Sequence, residues 1–153
     1  MIQLKLLIWF MAPGGMMAAI SFILYRSETD IRPGSETARV LMDKARRWNE
    51  RFDLTGFLHH EDGFFFQWLE GQPDNLAAIM ERIERDPRHR NLTYLARGTQ
   101  AERQFSRWRM GYSTRSEASV LRWLADHPVV IRERKEYAAG MLAFLREREA
   151  LLN

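Results

Sequence analysis

The sequence predicts an α+β fold in which a mixed sheet carries two helices on one face and further helices at its C-terminal end. Three observations lead there. Apolar residues recur at a spacing of two in some stretches and of three to four in others, turn signals separate those stretches, and the order is strand, helix, strand, strand, helix, strand, strand, then helices. With 153 residues, 46% hydrophobic and 28% charged, the chain has the size and make-up of one globular domain. A disordered chain, a fibrous repeat and a multidomain enzyme are excluded. The absence of cysteine removes disulfide frameworks, thiolate zinc sites and cysteine nucleophiles.

The first strand is read at Ile20, Phe22 and Leu24, interleaved with Ser21, Ile23 and Tyr25. Upstream, Leu6 to Leu24 carries no charge, and its length alone would suit a signal peptide or a short membrane span. Pro13-Gly14-Gly15 breaks that run as a helix. Residues 1–15 are therefore expected outside the core, with translation starting at Met16 or Met17.

Ile31-Arg32-Pro33-Gly34 reads as a loop and Ser35 as an N-cap. Ala38, Leu41, Ala45, Trp48 and Phe52 then mark an amphipathic helix to about Arg51. Leu54 to His60 and Phe64 to Glu70 form strands joined by a turn at Glu61-Asp62-Gly63, where glycine supplies the positive φ. Pro73-Asp74 opens a second helix, with Leu76, Ile79, Met80 and Ile83 as its stripe, and Asp86-Pro87 closes it. Two strands follow at Asn91–Ala96 and Arg109–Ser113, joined by a polar loop. A short helix carries Val120, Leu121 and Leu124, and a longer one Tyr137, Met141, Phe144, Leu145 and Leu151. The βαββαβ core is the ferredoxin-like arrangement, with the first and third strands side by side at the centre and the last helices covering the other face.

The net charge is +3 and the isoelectric point about 9.6. The arginine groups at 46–47, 88–90 and 132–135 alternate with acids, as on a solvated face, so no nucleic-acid partner and no membrane are expected. Gln67 is the chemically odd residue. Alternation puts it on one face with Phe65 and Leu69, where a primary amide needs partners or costs about 1–3 kcal/mol; otherwise it turns to solvent or to the backbone. Tyr25 sits at the same depth on the neighbouring strand. Asn49 lies deep in the first helix, where it is disfavoured unless its side chain has a use or faces water. Together they outline a pocket for a flat, polar-edged ligand, with Leu41 and Ile83 as walls or as plain core. His59 and His60 point to opposite faces without a carboxylate at metal spacing, and read as surface or half-buried histidines. No phosphate loop and no serine–histidine–aspartate set stand out.

A run of motifs now comes into order: Tyr25-Arg26-Ser27, Ala45-Arg46-Arg47 leading to Asn49, Leu54-Thr55-Gly56 and Phe66-Gln67-Trp68-Leu69-Glu70-Gly71. Arg82-Ile83, Asp86-Pro87-Arg88-His89, Phe105 and Trp108-Arg109-Met110-Gly111 continue it. From about Ser21 to Tyr112 the chain resembles the BLUF domains, which sense blue light with FAD. The resemblance implies a non-enzymatic photoreceptor holding FAD without a covalent bond. Tyr25 then matches the photoactive tyrosine that gives an electron and a proton toward the excited flavin, and Gln67 the switch amide. Asn49, Arg88 and His89 match residues at the flavin's pyrimidine edge, and Leu41 and Ile83 the pair that sandwiches the ring. Trp108 and Met110 match strand positions that exchange in and out of the pocket; alternation leaves Trp108 free to face either way. Ser27 and Trp68 fall at positions of smaller roles.

The chain departs from the family at Phe57-Leu58-His59-His60, where an aliphatic strand with a tyrosine is usual. No output domain is recognisable beyond Tyr112. The expectation is a stand-alone, cytoplasmic protein with an extension at 1–15, a flavin-binding domain at 16–113 and a helical extension at 114–153. It would signal to a partner protein, and self-associate through apolar positions exposed on the last helix. Two other functions stand beside this one: a small ferredoxin-like flavin- or ligand-binding enzyme, and a degenerate scaffold for protein interaction.

Overall fold

The structure, a computed structural model, describes residues 19–127 and 134–152. The expectations for residues 1–15 and for a start at Met16 or Met17 lie outside the described residues. Within them run strands β1 (Ile20–Glu28), β2 (Thr55–Glu61), β3 (Phe64–Gly71), β4 (Arg90–Gln100) and β5 (Gly111–Thr114). The helices are α1 (Glu36–Arg51), α2 (Pro73–Arg85), α3 (Val120–Asp126) and α4 (Arg134–Leu151). The sheet order is β4-β1-β3-β2-β5, antiparallel throughout except for the parallel β2–β5 pair. This is the expected ferredoxin-like arrangement with C-terminal helices.

Local chemistry sets the element ends. The Ser35 hydroxyl accepts the Ala38 N–H at 3.2 Å and so caps α1, while Pro73 occupies the first turn of α2, where its missing N–H costs nothing. Asp62 and Gly63 both have positive φ (46° and 84°), the geometry of a two-residue hairpin turn between β2 and β3. Gly56 is fixed by close approach: a Cβ there would meet the Trp68 carbonyl oxygen at 2.0 Å.

Two apolar layers cover the two faces. On the front, Tyr25, Leu58, Phe65 and Leu69 pack against Leu41 and Met42 of α1 and Leu76, Ile79 and Met80 of α2. On the back, Leu24, Phe57, Phe66 and Trp68 pack against Phe105, Val120, Ala138, Met141, Phe144 and Leu145. Phe22 stacks on Trp68 with centroids 4.5 Å apart.

Several boundaries and placements differ from those expected. β4 runs on to Gln100 because its antiparallel pairing with β1 continues to Ile20, and this outweighs the loop-like composition after Ala96. β5 begins only at Gly111, so Trp108 and Met110 precede the strand instead of lying in it. His59 and His60 are fully buried, not at the surface, because each finds two hydrogen-bond partners. On the last helix Met141, Phe144 and Leu145 are buried on the sheet and Leu151 alone of the expected stripe is exposed, so the exposed apolar ground for self-association on this helix narrows to that residue. No helix among the described residues is long and apolar enough to cross a membrane.

Candidate functional site

Between α1, α2 and the front of the sheet lies a cavity of about 340 Å³, within the usual range for small-molecule sites. Leu41 and Ile83 line it from the two helices, with Met42, Trp48, Leu58, Phe65, Leu69 and Ile79. Polar groups enter at defined points: Asn49 from α1, Gln67 from β3, and Asp86, Arg88 and His89 from the turn after α2. Six of the expected site residues (Leu41, Asn49, Gln67, Ile83, Arg88 and His89) thus share one wall system. Tyr25, Trp108 and Met110 are not on the lining; Tyr25 and Met110 meet it through Gln67.

Strand register explains that contact. Tyr25 and Gln67 are direct partners across the antiparallel β1–β3 pair, so their side chains leave the same face side by side. The Tyr25 hydroxyl donates to Gln67 Oε1, and the Gln67 Nε2 amide donates to the Met110 sulfur at 3.5 Å. A thioether is a weak acceptor, and among the described residues it is the one partner of that amide. Burial, with smaller contributions from Tyr94 and Asp86, pushes the Tyr25 phenol far above its ordinary range, so the group stays protonated.

Asn49 is 2% exposed, and its Nδ2 donates to the Arg109 carbonyl. Arg46 Nε reaches the Met110 carbonyl at 3.1 Å, and Gly56 N–H the Trp108 carbonyl at 3.0 Å. Three successive carbonyls before β5 are therefore held by α1 and β2. Trp108 has its indole Nε1 buried with no partner among the described residues, a cost of about 1–3 kcal/mol. His89 Nδ1 meets Ser27 Oγ at 2.8 Å, and burial pushes its imidazole down to about 4 against the pull of Asp86, leaving it neutral at neutral pH. The Arg88 guanidinium, bonded to Asp86, holds that carboxyl below the usual range.

Cations not expected from the sequence also line the cavity: Lys44, Arg82 and Arg85 join Arg88, against the single carboxylate of Asp86. Arg82 lies over the Trp48 ring at 4.1 Å. On paper these are outward helix positions, and only the approach of α1 to α2 brings them together. The donor set suits a flavin: two aliphatic side chains from facing helices for a flat ring, amides at a polar edge, cations for a phosphorylated tail. Among the described residues no group of three His, Cys, Asp or Glu could hold a metal ion.

Residues 20–111 match the family model described as sensors of blue light using FAD. Over 76 residues, half of this chain, the sequence is 36% identical to the beta subunit of a photoactivated adenylate cyclase of Euglena longa, of which the match covers 8%. Over 78 residues it is 33% identical to a blue light- and temperature-regulated antirepressor of Escherichia coli (strain K12), covering 50% of this chain and 19% of that protein. The chain thus spans a small part of the curated relatives it matches. The dark-state structure of BlrB, a BLUF protein, has the same fold, with a TM-score of 0.69, 23% identity, and 86% of this chain and 98% of that one aligned.

Proposed function

The chain belongs to the family of sensors of blue light using FAD, and from that premise we propose that it is a non-enzymatic blue-light receptor with FAD held non-covalently between α1, α2 and the sheet. The observation that carries this is the Tyr25–Gln67 hydrogen bond at the wall of the cavity. Bound there, the flavin supplies a chromophore that becomes a strong one-electron oxidant in blue light.

The residues have separable tasks. Leu41 and Ile83 clamp the ring from the two helices and exclude water. Asn49, Arg88 and His89 hydrogen-bond its pyrimidine edge, with the His89 ring oriented by Ser27. Tyr25 holds its proton against Gln67 Oε1, and because the buried phenol resists ionisation, that proton moves only along this bond. Gln67 can exchange donor for acceptor by rotating or tautomerising its amide, and its Nε2 has only the Met110 sulfur to give up. A changed amide therefore releases Met110 and rearranges hydrogen bonds with no net chemistry. The unsatisfied indole of Trp108 supports an exchange of Trp108 and Met110, since a placement that finds an acceptor relieves its cost. Lys44, Arg82 and Arg85 hold the phosphates. A cytoplasmic setting and a downstream protein partner belong to the same proposal.

An absorption spectrum of the purified protein in the dark and under blue light tests it. The expected result is a flavin spectrum that shifts to the red and reverts in darkness. A static flavin spectrum with substrate-dependent turnover would replace the sensor with an enzyme, and a chain that no flavin reconstitutes would leave neither.

A further inference from the structure

The back of the sheet holds a hydrogen-bonded chain that the cavity does not use. Ser113 Oγ, His59 and Glu61 follow one another at 2.8 Å each, the connectivity of a serine–histidine–carboxylate triad. Hydrolysis is not what it is built for. His59 and Ser113 are 0% and 1% exposed, and neither described cavity reaches them. The Glu61 carboxylate also accepts the Ser119 hydroxyl and the Val120 N–H, both at 2.6 Å.

What this chain joins is informative. One end is Ser113 in β5, three residues beyond Met110, whose sulfur takes the Gln67 amide. The other end is the first turn of α3, where Ser119 is the N-cap. The middle supports α4: Phe144 meets His59 edge-on at 4.7 Å, and the Arg148 guanidinium lies over Phe144 at 4.7 Å. Arg148 has its Nε buried without a partner among the described residues, so the docking of α4 is closer to release than its apolar contacts imply.

Resting on the light response proposed above, we propose that Ser113, His59 and Glu61 form a latch that passes movement of the segment 108–110 across the sheet to the start of α3 and to α4. Burial keeps His59 neutral despite Glu61. Hydrogen bonds from Ser119, His59 and the Val120 N–H outweigh burial and keep Glu61 ionised. Neutral His59 therefore donates Nε2–H to a carboxylate and accepts from Ser113 at Nδ1, a charge-assisted and directional arrangement. Glu117 and Arg148 are the other charges that act on His59. A shift of β5 that draws Ser113 away turns the imidazole and takes a donor from Glu61, which loosens its hold on α3. Coupling of this kind needs an element with two arrangements, and in this proposal the element is the start of α3, held or released by Glu61.

Deuterium exchange of the flavin-loaded full chain, dark and illuminated, tests the latch. In the wild type the amides of residues 120–126 are expected to exchange several-fold faster in the light. Glu61→Gln should keep the red shift and lose most of that light-minus-dark difference. Ser119→Ala removes two hydrogen bonds at a half-buried position, the donation to Glu61 and the N-cap acceptance from the Arg122 N–H. The lost cap speeds exchange in dark and light alike, and the lost Glu61 bond should remove part of the light-minus-dark difference, even if Glu61→Gln fails to fold. A purely structural Glu61 would raise exchange equally in dark and light and leave the difference intact. An undiminished difference in the folded variants, or a red shift with unchanged exchange in the wild type, overturns the latch. A wild type without any red shift overturns the photoreceptor itself, and the latch with it.

Discussion

The two faces of the sheet are built from alternate residues of the same strands, yet they treat polar groups in opposite ways. On the front, Gln67 leaves its amide on a thioether beside a cavity of about 340 Å³. On the back, Glu70 is 0% exposed and its carboxylate accepts from five donors: Thr55, Trp68, Gln100 and the N–H groups of Gln104 and Phe105. A saturated carboxylate fixes the loop that leads to Trp108, while a weakly held amide can change partners at little cost. In the mechanism proposed above, the contrast separates the group that switches from the frame that registers the switch.

The sharpest way to break that contrast is to exchange the faces' sensitivities. Gln67→Leu should abolish the light-induced red shift with flavin still bound, read by absorption. Phe57→Ala on the back should do the reverse, lowering stability by roughly 3–5 kcal/mol in thermal or urea unfolding while the shift persists. A Gln67→Leu protein with an unaltered photocycle would remove the front face from the mechanism.

The next effect is on pH. Burial pushes His60 down to about 4 although the Ile31 carbonyl accepts its proton. Its folded value lies below the unfolded one of 6.5, so the unfolded chain takes up the proton first. This contribution is fully present above about pH 6.5 and is lost as pH falls toward 4, on the order of 3 kcal/mol. Unfolding titrations of wild type and His60→Gln should differ in slope by one proton over that window, and equal slopes would refute it. The smallest effect lies at the mouth of the cavity. Arg82→Ala should weaken FMN and FAD binding by up to about fivefold, the size of an exposed ion pair, and leave riboflavin unchanged in a fluorescence titration.

Residues whose fate is set by local periodicity were legible from the sequence. Alternation placed Tyr25 and Gln67 on one face, and the odd Asn49 and the helical stripes placed Leu41 and Ile83 opposite one another. The latch was legible only in part: Glu61 lies two residues from His59 on the same face of β2 but was read as part of the turn, and the other partners of His59 and His60 lie far along the chain, at Ser113, Tyr112 and the Ile31 carbonyl. A histidine pair with no metal spacing looks superficial until those partners arrive. The strand β5 was expected at Arg109–Ser113, and only its start was misplaced, by two residues: among the described residues its ladder is the parallel one to β2, more than fifty residues back, and no local signal fixes where that pairing begins. Its start at Gly111 also answers a distant constraint, since a Cβ there would lie 2.4 Å from the Phe57 ring.

In β2, Leu58 lines the cavity and its neighbour His59 anchors the latch, and the tight turn at Asp62-Gly63 fixes the phase of β3 behind them. Inserting or deleting one residue in that strand would send the imidazole into the flavin cavity and the leucine under α4. Divergence within this lineage is thereby channelled. Odd and even positions can be retuned separately by substitution, for colour sensitivity on one side and for a new partner on the other. Changes in length are confined to the loops outside the ladder, and an engineer grafting a different output onto the domain inherits the same restriction.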